Sequence, residues 1–217
     1  LIMSYNTYRD WHVKCNVNLV LDNLSRRGFK ALYFERVEEA KNHILSLIPK
    51  NAVVGVGGSV TIRELGLIED LEARGNRIIH HWIKGLSLEE SYKIRVSENT
   101  CDFYLSSCNA ITMDGVIVNA DSSGNRIAAL AFGPRNVIIV AGINKIVYDI
   151  DAALWRIYNI AAPMNSRRLG VGVPCAENGY CTNCNSMECP VRVIEIIERK
   201  PQLTDYHVII VNAILGF

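Results

Sequence analysis

Four cysteines crowd one stretch of the chain, "PCAENGYCTNCNSMECPV", residues 174–191. Cys175, Cys181, Cys184 and Cys189 follow the spacing Cys-x5-Cys-x2-Cys-x4-Cys, with Pro190 directly after. Thiolates in that number suit zinc or an iron–sulfur cluster. Cys181 and Cys184 form a tight chelating pair, and the outer two complete a four-sulfur set. Structural zinc sites usually show two such close pairs separated by a loop, and only one is present here. All four thiols fall in one irregular loop, 174–190. The first expectation is therefore a [4Fe–4S] cluster. Zinc is the alternative, and free or disulfide-forming thiols are the third reading.

A second stretch, "VGVGGSVTIREL", joins a short apolar run to a helical pattern. Gly57 and Gly58 let the backbone turn sharply and approach a ligand closely. Ser59 and Thr61 stand where the helix begins, and Thr61 to Glu64 fits a capping box. Free amides there suit a phosphate or carboxylate. The pattern is neither a dinucleotide fingerprint, because residue 60 is Val, nor a P-loop, because no Gly-Lys-Ser/Thr follows. The plain alternative is a tight turn with an ordinary cap.

The third stretch, residues 107–145, sets polar side chains between apolar runs. Asn109 and Thr112 end one strand pattern, and Asn144 and Lys145 directly follow another, "NVIIVAG". Ligands of open α/β sheets bind at such strand ends. Asp114 and Asn125 are turn formers beside Gly115 and Gly124. His80 and His81 are adjacent on a strand pattern, so they point to opposite faces and read as ordinary strand-end residues.

These residues need elements to hold them. Helical spacing covers about 8–27, 37–48, 59–75, 87–96 and 149–162. Continuous β-branched runs at 52–56 and 136–142 read as buried strands, with further strands at "FKALYF", "RIIHHW" and "DFYLSS". Alternation of strand and helix indicates an α/β fold, an open and mostly parallel sheet with flanking helices. Near the end, "VRVIEIIERKPQLTDYHVIIVN" sets two β-branched runs around a Lys-Pro turn and predicts a late β-hairpin. No linker or repeat interrupts the chain, so residues 1–217 read as one domain that includes the cysteine loop.

The bulk numbers exclude several classes. Lys plus Arg is 23 and Asp plus Glu is 22 among 217 residues, which argues against a general nucleic-acid grip. No apolar run is long enough for a membrane span, and the first residues carry no apolar signal core. Seven cysteines, an odd number, do not resemble a secreted disulfide framework. The expected location is the cytoplasm.

The segments "VGVGGSVTIRELG", "CNAITMDGVIVNADSSGNRIAALAFGPRNVIIVAGINKIV" and "ERKPQLTDYHVIIVNAILGF" resemble the LUD-domain family, the lactate-utilisation proteins, in a cysteine-tailed, stand-alone form. The resemblance implies a fold like that of CoA transferases, ribose-5-phosphate isomerase and glucosamine-phosphate deaminase. It also implies a link to bacterial growth on lactate, where a small LUD subunit acts beside iron–sulfur partner proteins. The family supplies no settled catalytic residue. Glu64 is the carboxylate nearest the glycine turn, but the glutamate nucleophile of CoA transferases lies in a different motif, so no such role is transferred to it. The resulting expectation is a small anionic ligand held by Gly57, Gly58, Ser59 and Thr61 on one wall and Asn109, Thr112, Asn144 and Lys145 on the other. Iron–sulfur redox partners and a homo-oligomer are the expected macromolecular company. An enzyme converting acyl-CoA or sugar phosphates is one alternative, and a non-catalytic assembly subunit of a redox complex is another.

Overall fold

The computed structural model describes residues 5–217. The reading of an absent export signal rests partly on residues 1–4, which lie outside the described residues. In chain order come α1 (Tyr5–Arg26), β1 (Lys30–Phe34), α2 (Val37–Leu47), β2 (Val53–Val56), α3 (Val60–Glu64), α4 (Leu67–Ala73) and β3 (Arg77–Ile79). Then follow α5 (Leu88–Glu98), β4 (Phe103–Ser106), β5 (Ala110–Thr112), β6 (Ile117–Asp121), α6 (Asn125–Ala131) and β7 (Asn136–Gly142). The last third holds β8 (Ile146–Val147), α7 (Ile150–Arg156), α8 (Ala162–Leu169), α9 (Cys175–Asn178), β9 (Val193–Ile197) and β10 (Asp205–Val211).

The main sheet is six-stranded, in the order β1-β10-β7-β4-β2-β3. All its pairs are parallel. Parallel strands need both faces covered, which is why β7 and β10 are near-continuous apolar runs. Their side chains alternate between two cores. Val137, Ile139 and Ala141 join Val208 and Ile210 against Val17, Val20 and Leu24 of α1 and Leu130 of α6. Ile138 and Val140 join Ile209 and Val211 against Ala40 and Ile44 of α2, Ile62 of α3 and Leu71 of α4. Each fully buried aliphatic side chain contributes roughly 1.5–3 kcal/mol.

A second sheet of four strands, order β8-β5-β6-β9, is largely antiparallel. Ile111, Ile117 and Ile197 turn one of its faces into the α1 core. Its other face, through Ala110, Val118 and Ala120, packs on Ala153 and Ile157.

Four expectations need correction. The late hairpin does not form: β9 pairs with β6 in the small sheet, whereas β10 lies between β1 and β7 in the large one. The helix expected over 59–75 is two helices, because Gly66 adopts φ 65° and ends the first. The capping residue of α3 is Ser59, whose hydroxyl accepts from Ile62 N–H at 3.3 Å, rather than Thr61. The predicted helix over 149–162 runs on to Leu169 through a wide π turn at Ile157–Ala161. Pro163 has no N–H and its ring crowds the carbonyl of Asn159, which accounts for that widening.

Candidate functional site

The carboxyl ends of β2, β4 and β7 converge, as expected for a ligand site in a parallel sheet. Beyond β2 comes the glycine turn. Beyond β4 comes Ser107-Cys108-Asn109, and beyond β7 a 3₁₀ turn, Ile143–Lys145. Together they enclose a cavity of about 90 Å³ lined by Gly58, Ser59, Thr61, Ser107, Asn109, Arg126 and Lys145. Ile157, Ala161, Ala162 and Asn165 of the helical segment form another wall, and Pro190 and Val191 close it.

Lys145 is only 3% exposed. Its ammonium donates to Ser107 Oγ at 2.9 Å, to the Cys108 carbonyl at 3.0 Å and to Thr61 Oγ1 at 3.1 Å. All three partners are neutral. Burial lowers the Lys145 pKa from 10.5 to about 8, and Arg156 and Arg126 press in the same direction. A desolvated cation without a carboxylate partner is costly, and an anion in the cavity would offset that cost.

Arg126 adds a second positive charge. It rises from α6 and donates to Asn109 Oδ1 at 3.3 Å, to the Gly58 carbonyl at 3.5 Å and to the Ala120 carbonyl. Its Nε is buried without a partner among the described residues. Behind the cavity, Arg156 holds the Asn109 carbonyl at 2.7 Å and the Asn144 carbonyl at 3.1 Å, and burial lowers its pKa. Among the described residues, no Asp or Glu lines the cavity. Its walls therefore present cations and neutral donors, a setting for a carboxylate or phosphate.

Three predicted site residues are occupied elsewhere. Thr112 is fully buried in β5 and bonds Asp114 and Val116 within a turn. Asn144 clamps Leu215, accepting its N–H at 3.1 Å and donating to its carbonyl at 3.4 Å. Gly57 backs onto the Tyr104 hydroxyl, which would collide with any Cβ there. Glu64 accepts Gly216 N–H at 2.7 Å and is not part of the lining.

The cysteine loop encloses a cavity of about 330 Å³ next door. Cys175, Cys181, Cys184 and Cys189 all line it, with Tyr158, Ala162, Val173 and Val191. Ala162 and Val191 thus serve as a wall common to both cavities. Asn183 and Asn185, each at φ 51°, bend the chain on either side of Cys184, a conformation Asn tolerates better than most residues. Burial pushes the Cys175 thiol pKa up, and Cys181, Cys189 and Cys184 push it further. Among the described residues, no three or more His, Cys, Asp or Glu side chains are arranged to hold a single metal ion. No helix among them is long and apolar enough to cross a membrane.

The LUD-domain family model matches residues 17–211. The chain belongs to the LUD-domain family. That family is associated in general with lactate utilisation. A crystal structure of a DUF162-family protein from Deinococcus radiodurans aligns with this LUD domain at a TM-score of 0.50 and 13% identity, over 92% of this chain and 98% of that one. Likeness at that identity shows the fold. Comparison with curated proteins gives no match.

The LUD domain also holds a pair that strand periodicity could not reveal. Glu98, at the end of α5, is fully buried. One of its oxygens meets His81 Nδ1 at 2.6 Å, and the other accepts from Asn125 Nδ2 at 3.0 Å. His81 lies beyond the end of β3 rather than within it. Its Nε2 stands 3.8 Å from where a Cβ on Gly58 would be.

Proposed function

We propose that this LUD domain binds a small anion bearing a carboxylate or phosphate over Lys145 and Arg126, in lactate or related organic-acid metabolism. The observation that carries the reading is the buried Lys145 ammonium, held by neutral acceptors in a cavity whose described lining contains no Asp or Glu. A volume of about 90 Å³ exceeds the roughly 10–15 Å³ one water needs by enough for a ligand of a few heavy atoms. An acyl-CoA transferase using a carboxylate nucleophile is disfavoured, because that lining supplies none. Calorimetric titration with lactate, pyruvate and phosphate tests the reading. Binding of at least one, abolished by Lys145→Met, supports it. Equal binding by wild type and Lys145→Met refutes it.

The cysteine cavity is read as the seat of a [4Fe–4S] cluster. Zinc requires four sulfurs about 2.3 Å from one point. Here the four thiols line one cavity of about 330 Å³, and only Cys181 and Cys184 are spaced as a close chelating pair. A cluster that gives each thiolate its own iron spans such a space. When bound it would supply one-electron chemistry. Tyr180 and Met187 are exposed on the same loop and would be available to an iron–sulfur redox partner. Iron and sulfide analysis of anaerobically purified protein decides between cluster and zinc.

A further inference from the structure

We propose that Ser107 is a nucleophile activated by Lys145, and that the cleft passes the acyl group of a small anionic acyl donor to the Ser107 hydroxyl and then to water. The proposal rests on the anion reading of the Lys145 cleft and adds a covalent step to it.

The topology brings the two groups together. β4 and β7 are neighbours in the large sheet, with Ser106 opposite Ile139. The segments leaving their carboxyl ends therefore run side by side, one carrying Ser107 and the other Lys145. Both residues line the cavity, together with Arg126 and the glycine turn. Arg156 fixes both segments through the carbonyls of Asn109 and Asn144. Lys145 Nζ stands 2.9 Å from Ser107 Oγ, within the reach a base needs of the proton it takes. A serine with a lysine as its base is a recurring alternative to the serine–histidine pair.

The surroundings of Nζ select the hydroxyl that gives up its proton. The Cys108 carbonyl, 3.0 Å from Nζ, can only accept, whereas the Ser107 and Thr61 hydroxyls can turn and donate once the amine is neutral. Thr61 Oγ1 is farther, at 3.1 Å, and Gly216 packs over it so closely that a Cβ there would collide with it. Ser107 Oγ is nearer, and its own hydrogen makes only a long contact of 3.4 Å with the Cys108 carbonyl. Burial of Nζ, with Arg156 and Arg126 nearby, favours the neutral amine, which is the form a base must take. Arg126 keeps its charge throughout and supplies a fixed cation for the negative end of the donor.

The step balances with water as its one co-reactant. The Ser107 O–H bond breaks and its proton goes to the neutral Nζ. Oγ forms a bond to the acyl carbon, and the carbonyl electron pair moves onto the carbonyl oxygen in a cleft of positive charge. That pair returns, the bond to the leaving group breaks, and the leaving group departs with the bond's electrons and the proton from Nζ. Water then gives a proton to Nζ and its oxygen to the acyl carbon. Ser107 is released with the proton returned from Nζ, and the net change is hydrolysis of the acyl donor.

Acetyl phosphate, a small acyl donor with an anionic leaving group, is the probe, and phosphate release by the full chain is read against buffer. Wild type is expected to release phosphate faster than buffer. The enzymatic part of the rate should rise as pH passes about 8, where Lys145 becomes neutral. The titratable and charged groups that bear on that profile are Cys108 after β4, Arg156 of α7, Arg126 of α6 and Glu64 of α3. Ser107→Ala should slow release by about 100-fold or more, the scale of a lost catalytic proton transfer. Ser107→Cys retains a nucleophile and should release phosphate faster than Ser107→Ala. Lys145→Arg keeps a cation that cannot serve as a base, and should lose release while calorimetric binding of phosphate persists. If that variant does not fold, the wild-type pH profile carries the same test, and a profile flat through pH 8 overturns the role of Lys145. Phosphate bound by wild type with release no faster than buffer overturns the proposal and leaves the anion site standing. Folded Ser107→Ala that releases phosphate at the wild-type rate also overturns it, as does peptide mass analysis that finds the acetyl group on Lys145. Absence of both binding and release removes the proposal together with the reading of the cleft.

Discussion

Replacing Lys145 with Met separates the energetic penalty of a desolvated ammonium from everything else in the fold. In the folded chain the amine titrates at about 8 against 10.5 for the free side chain, with burial as the leading cause. The folded state therefore binds fewer protons than the unfolded chain between those two values. Stability contributed by this group must rise with pH across that window, because stability increases wherever the unfolded state holds more protons. The penalty is fully present below pH 8 and relieved as pH passes 10.5. A fall of about 2.5 at about 1.36 kcal/mol for each pH step gives roughly 3 kcal/mol in all, of which about 2–3 kcal/mol appears between pH 7 and pH 10. Lys145→Met has no such titration. Urea unfolding of both proteins without ligand, at pH 7, 8, 9 and 10, yields the stability difference at each pH. Other titrating groups cancel in that difference. Relative to the Lys145→Met variant, the wild type should gain about 2–3 kcal/mol over the range. The absolute difference at pH 7 is less telling, because the variant also leaves the Cys108 carbonyl without its donor, a loss of about 1–3 kcal/mol. A difference that stays flat from pH 7 to pH 10 would show that the ammonium is not desolvated, and the electrostatic case for an anion would collapse.

Arg126→Ala should weaken anion binding by roughly 10- to 100-fold, the equivalent of one charge-assisted hydrogen bond of about 1.5–3 kcal/mol, as read by calorimetry; an unchanged affinity would place the ligand away from α6. Cys184→Ser should remove the brown colour and most of the iron from anaerobically prepared protein, and retention of both would show that this thiol is not a ligand. Gly57→Ala should cost about 1–3 kcal/mol of stability by overpacking against the Tyr104 hydroxyl, and adding Tyr104→Phe should recover part of it in a double-mutant cycle. Additive losses in that cycle would mean the two residues do not touch.

Much of the framework was legible because parallel strands buried on both faces leave continuous apolar runs, and β2, β4 and β7 carry them. Lys145 could be singled out for the same reason, since an ammonium directly after a buried strand has few places to go except the sheet's carboxyl edge. Arg126 was not legible as a site residue. Its neighbours Asn125 and Gly124 read as a turn, and the short helix α6 that aims it into the cleft has only seven residues. The pairing of His81 with Glu98 joins residues 17 apart, across a connection with no periodicity to follow. The small sheet escaped notice because β5 and β8 have three and two residues, too few for alternation to register. The false hairpin has a different cause. Two β-branched runs around a Lys-Pro turn look alike whether the second strand folds back on the first or crosses into another sheet, because local pattern does not encode the partner.

The place of β10 between β1 and β7 also bears on how the chain is made. During synthesis β1 emerges early, and its hydrogen-bonding edge has no partner until residues 205–211 leave the ribosome. The large sheet therefore stays divided while most of the polypeptide waits, its apolar faces open to solvent and to other nascent chains. Contacts so distant in sequence fold slowly and expose aggregation-prone edges meanwhile. A stop codon or frameshift anywhere before residue 205 would leave not a shortened domain but an edge strand, β1, cut off from the four-stranded remainder of its sheet.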